Sequence, residues 1–181
     1  MQDPSQSLLD ITAEQCEAVT RKWLTHTLGT YPSETSRFMQ ETRDPFHNPV
    51  GRALKEGLPQ IFAQLIGEFD AERIGPALDD IVRIRAIQDF SASQAIGFIF
   101  HLKQITREEL RPETPGFQTL QDRIDELALL AFDNYVKCRE KTWQIQVKEA
   151  KSRVYVLEKV ASRKARSSSA AAVGPPVTPA N

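Results

Sequence analysis

From about Gly116 to about Ser162 the chain keeps an uninterrupted helical period of apolar residues. A helix of that span would reach about 70 Å at ~1.5 Å per residue, far more than a compact domain of this size requires. Something has to bury or guide the surplus. The first half carries Phe117, Leu120, Ile124, Leu127, Ala128, Ala131, Phe132 and Tyr135, a dense core face. The second half carries Trp143, Val147, Ala150, Val154, Leu157 and Ala161, at steps of 4, 3, 4, 3 and 4. That is a heptad seam of under three heptads, and it predicts a homodimeric helix pair ahead of packing back onto the chain's own body.

The helical period recurs through most of the remaining sequence and no two-residue alternation interrupts it, so the chain is expected to be all-α. Thr12 and Gln15 form a capping box for a first helix that Gly29 ends. TYPSETSRFMQ holds a turn and a short second helix, and the proline-bounded DPFHNP is a rigid connection. Asn48 and Pro49 open a third helix running to Gly67, with a kink expected at Gly57 and Pro59. Asp70 caps a fourth that stops near Phe90, and Ser91 with Gln94 caps a fifth. The fifth presents Ala95, Ile96, Phe98, Ile99, Phe100, Leu102 and Ile105, the pattern of a helix buried all round. Pro76, inside the fourth, has no physical reason in the sequence beyond a shifted helix start.

At 181 residues, 40% hydrophobic and 26% charged, the chain reads as one folded domain with extensions. The N-terminus MQDPSQSLLD has no signal-peptide pattern and no apolar run nears the ~20 residues that span a bilayer, so a cytoplasmic protein without membrane insertion is expected. Cys16 and Cys138 lie far apart inside helical patterns and read as reduced, mostly buried thiols. The formal net charge of −1 conceals an asymmetry: residues 137–166 carry a balance of +7 and the rest of the chain −8. A basic helix following an acidic body is a solvated face in its plainest reading. The sharper readings are contact with an acidic partner, anionic lipid or nucleic acid, the last being disfavoured.

RIRAIQDFSASQAIGFIFHLK, residues 83–103, crowds charge at the entrance of the most apolar helix. Arg85 and Asp89 are spaced i,i+4, as are Asp79 and Arg83, although exposed pairs of this kind contribute only about 0.2–0.5 kcal/mol. If the turn is partly buried, the guanidinium groups can fasten backbone carbonyls and Asp89 can accept from the helix N-terminus, making a structural lock. The same cluster, Arg83, Arg85, Gln88, Asp89, Gln94 and His101, is the candidate ligand or partner site.

No glycine-rich phosphate loop, nucleophile elbow, HExxH motif or zinc-spaced Cys/His cluster is present, so neither an enzyme nor a metal site is expected. His26, His47 and His101 fall in different elements. His101, amid Phe98, Ile99, Phe100 and Leu102, is the one candidate haem ligand, against the plainer reading of a satisfied or edge-facing imidazole.

DPFHNPVG, RIRAIQDFSASQAIGFIFHLK and RIDELALLAFDNYVKCREK together resemble the RsbRD-type N-terminal domain of bacterial RsbT co-antagonist proteins, from about Trp23 to about Glu149. The resemblance implies a non-haem, globin-like helical fold, a dimer, and a long C-terminal helix that passes signals to a STAS domain in the stressosome; similar domains serve as inputs of signalling kinases. The fourth helix, in the place of a globin's proximal helix, contains no histidine, which disfavours haem. The sequence is expected to stand without a STAS domain after Arg166, so phosphorylation-dependent release of a partner kinase is not carried over from the resemblance.

The sequence therefore predicts a non-catalytic, cofactor-free signal-input or adaptor module for stress or environmental signalling, with a protein partner. Its expected parts are a flexible N-terminus at 1–11, a globin-like sensor domain at 12–142, an extended helix at 143–162 and a disordered tail at 163–181. The alternatives are a haem- or small-ligand-binding globin-like sensor and a basic helix that contacts nucleic acid or an anionic surface.

Overall fold

In the computed structural model, six α-helices follow one another without a strand among the described residues, which are 11–42, 44, 47–88 and 90–172; side chains are described as far as residue 162. The helices are α1 (Ala13–Gly29), α2 (Ser33–Glu41), α3 (Pro49–Ile66), α4 (Ala71–Ile87), α5 (Ala92–Glu109) and α6 (Phe117–Ala172). Two compact units divide the chain at Arg139 and Glu140, α6 being continuous through the division.

The helix starts follow local chemistry. Thr12 and Ser91 head complete capping boxes with Gln15 and Gln94. Asp70 accepts from Glu72 N and Arg73 N. Asn48 does more than cap: its Oδ1 accepts from Gly51 N while its Nδ2 donates to Met39 O and Thr42 O, at 2.8 and 3.0 Å, stitching the end of α2 to the start of α3. Gly116 precedes α6 at φ 82°, a conformation that favours glycine, and its carbonyl accepts from Leu120 N.

In the first unit α3 packs on α4, α1 on α3 and α5, and α4 on α5, around one core that includes Trp23, Phe62 and Phe98. Gly57 sets the closeness of α3 and α4, since a Cβ there would stand 3.1 Å from Ile81 Cδ1. α3 is one continuous helix through Gly57 and Pro59, and α4 through Pro76, for which the structure supplies no reason. The body half of α6 buries Phe117, Leu120, Ile124, Leu127, Ala128, Ala131 and Tyr135.

Two core assignments made from the pattern need correction. Phe132 is half-exposed, because it lies at the edge of the arc that the buried positions of α6 define. α5 is not buried all round. Ser93, Gln94, Phe100, His101, Gln104, Arg107 and Glu108 are exposed, so the helix has a wet face on which Phe100 is 54% accessible. The apolar count in its sequence concealed an ordinary amphipathic arrangement, with Ala95, Ile96, Phe98, Ile99, Leu102, Ile105 and Thr106 facing inward.

In the second unit α6 continues to Ala172, ten residues past the expected helix end at Ser162. RKARSSSAAA contains neither glycine nor proline to stop it. Residues 1–10 and 173–181 lie outside the described residues, and with them nearly all of the expected N-terminal segment and the end of the expected tail.

Candidate functional site

The buried face of α4 is Ile74, Leu78, Ile81, Val82, Arg85 and Ala86, so the i+4, i+3, i+4 spacing that lines up three aliphatic residues carries a guanidinium inward next. Arg85 is 0% exposed. Its Nη2 donates to Thr30 Oγ1 and to the Gln94 carbonyl, each at 3.0 Å, tying the end of α1 to the start of α5. Three rings surround it: Phe90, Tyr31 and Phe98, with centroids 4.4, 5.1 and 5.4 Å from Cζ. Such contacts stabilise a desolvated cation by ~2 kcal/mol.

The cluster is braced from outside. Trp23 stacks on Phe98 and its Nε1 donates to Phe98 O at 2.7 Å. Tyr31 meets Phe90 edge to face. Tyr135 on α6 donates its hydroxyl to Phe90 O at 2.7 Å, so α6 is bonded to the same α4–α5 turn whose ring covers Arg85.

Donors nevertheless go unanswered. Nε and Nη1 of Arg85 and the hydroxyl of Tyr31 have no hydrogen-bond partner, although the phenol lies close enough to the guanidinium for each to perturb the other's titration. Burial pushes the Arg85 guanidinium down from its ordinary range, with Tyr31 opposing, and pushes the Tyr31 phenol up, with Arg85 opposing. Arg85 remains a cation at neutral pH.

Of the six residues expected to form one site, the structure brings Arg85 and Gln94 together, the latter through its main chain. The Gln94 side chain instead completes the cap on Ser91 N. Gln88 is the exposed C-cap of α4, and Asp89 lies outside the described residues, so the Arg85–Asp89 lock remains a proposal. Arg83 is on the surface and pairs with Asp80 at 2.6 Å, not with Asp79; the i−3 carboxylate is the one in reach. His101 is also on the surface, its ring stacked 5.5 Å from that of His26. It does not face the core, because the exposed arc of α5 includes it.

Sequence reasoning missed Thr30, Tyr31, Phe90 and Phe98 as partners of Arg85. It missed the anchoring of α6 as well: Arg123 Nη1 donates to Leu65 O and Gly67 O, both at 2.7 Å, and Gln121 Nε2 donates to Thr106 Oγ1 at 2.9 Å. Only the register of α4 offered a sign, since Arg85 falls in line with its aliphatic stripe.

The second unit carries the other candidate surface. Trp143, Ala150, Val154, Leu157 and Ala161 are exposed and Val147 partly so, with Trp143 at 65% and Leu157 at 68%. Ile145, Val156 and Val160 are also exposed but lie off this seam, Ile145 about 200° round the helix from Trp143. Lys148, Lys151 and Tyr155 flank the seam and share a shallow surface groove with Trp143 and Val147.

The fold is thus an all-α domain that ends in a long helix with apolar residues bared along it, and no helix among the described residues is long and apolar enough to cross a membrane. Residues 17–149 match the RsbT co-antagonist protein rsbRD N-terminal domain, and the chain belongs to that family. It is also similar to an uncharacterised protein of Archaeoglobus fulgidus, 26% identical over 150 residues, which are 80% of this chain and 91% of that protein. No solved structure matches the chain.

Proposed function

We propose that the chain is a non-catalytic signal-input or adaptor module of stress or environmental signalling that works in the cytoplasm as a homodimer, its body a globin-like domain without haem. Family membership supports the signalling role, as an input domain. The observation that carries the dimer is the seam from Trp143 to Ala161, which leaves large apolar side chains in water unless another chain covers them. The signal path follows from Tyr135: a ligand or partner that shifts the α4–α5 turn moves Phe90, and the Tyr135 hydroxyl hands that shift to α6. The basic residues beside the seam then present a surface to an acidic protein partner.

Native mass spectrometry of the full chain tests this reading. A dimer of bare chains is expected, reverting to monomer in Val154→Asp/Leu157→Asp. A monomer at tens of micromolar overturns the dimer reading, and a retained haem or tetrapyrrole mass overturns the haem-free one. All three histidines are exposed, which counts against a core-facing haem ligand.

A further inference from the structure

The geometry points to a buried site at the α1–α4–α5 junction for a compact monovalent anion of the halide, nitrate or formate class, accepted by Arg85 and Tyr31. Its basis is an excess of donors. Nε and Nη1 of Arg85 and the hydroxyl of Tyr31 are buried together without a partner. The carbonyl acceptors around them each already take a donor: Phe98 O takes Trp23 Nε1, Phe90 O takes the Tyr135 hydroxyl, and Gln94 O takes Arg85 Nη2. Thr30 accepts from Arg85 and gives its own hydroxyl hydrogen to Thr27 O at 2.7 Å.

A water molecule answers such a place poorly, since it accepts two hydrogen bonds but brings two hydrogens that need acceptors of their own. An anion only accepts, and it neutralises a guanidinium that no described carboxylate meets. Complete burial of Arg85 limits the occupant to a small monoanion; sulfate or hydrogen phosphate would leave too much charge to desolvate. The competing occupant is internal. Asp89 lies four residues after Arg85, and its carboxylate would do the same chemistry.

The test uses the full chain. Chloride is titrated against wild-type protein by 35Cl NMR linewidth, with nitrate and formate as competitors, and thermal midpoints are recorded in chloride, bromide, nitrate and formate. Expected are saturable broadening that the competitors remove and a midpoint rise of about 5–10 °C at roughly a hundredfold the dissociation constant. Tyr31→Phe, which keeps the ring and loses one donor, weakens binding about tenfold, and Arg85→Met abolishes it. If Arg85→Met does not fold, the wild-type and Tyr31→Phe titrations decide. No saturable broadening with folded wild-type protein overturns the site, as does equal affinity in Tyr31→Phe. Broadening that emerges only in Asp89→Asn overturns it also, and assigns the place to the Asp89 carboxylate.

Discussion

Arg123 joins α6 to the far end of α3 and tests how the long helix is held. Its Nη1 gives two charge-assisted hydrogen bonds of 2.7 Å to carbonyls at the C-terminus of α3, where the last turn has no amides to offer. Hydrogen bonds to a charged group contribute about 1.5–3 kcal/mol each. The site is only partly buried, so water answers part of the loss, and Arg123→Met is expected to cost about 2–4 kcal/mol. For a chain of this size that lowers the thermal midpoint by roughly 4–16 °C. Arg123→Lys, a point donor in place of a fork, recovers about half. Urea unfolding followed by circular dichroism separates this from a change in compactness, because the midpoint falls while the slope holds. A cost under about 0.5 kcal/mol for the methionine variant refutes the reasoning and leaves the α3 carbonyls to solvent.

Gly57→Ala is expected near neutral: the clash is with the flexible end of Ile81, and alanine gains about 1 kcal/mol of helix propensity. Gly57→Val has no such room and costs about 1–3 kcal/mol by the same unfolding measurement. Ser91→Ala removes a capping box and costs about 1 kcal/mol. The Tyr31 phenol, raised above 10.0 by burial, keeps its proton in the folded state while the unfolded chain ionises. Its contribution is therefore intact below that pH and is lost as pH climbs through the folded value; Tyr31→Phe removes this alkaline slope from a stability-versus-pH curve.

The parts of the fold legible in the sequence are those that local chemistry decides. Thr12 with Gln15, Asn48 with Pro49, Asp70, and Ser91 with Gln94 announce their helices because a cap is a contact within four residues. The aliphatic stripe of α3 is legible for the same reason. The Arg85 cluster is not, since Thr30 lies 55 residues from Arg85 and nothing local selects it over another hydroxyl. At His101 the edge-facing reading is the one that agrees with the structure, because the helical turn of 100° per residue delivers Phe98, Ile99 and Leu102 to the core and Phe100 and His101 to water.

The charge of residues 137–166 supplies a test that separates the seam from a basic docking surface. A homodimer joined through the seam brings two segments of net charge +7 together, whatever their direction. At about 10 Å two like charges repel by about 0.4 kcal/mol in water, and physiological salt, with a Debye length of about 8 Å, removes most of that. Salt should therefore tighten the dimer, and apolar burial pulls the same way. A complex with an acidic partner does the reverse, because its attraction is what salt screens. Sedimentation equilibrium at 50 and 500 mM salt reads the sign. A dimer that loosens with salt means that the basic segment of one copy meets the acidic surface of another, and it removes the seam as the interface.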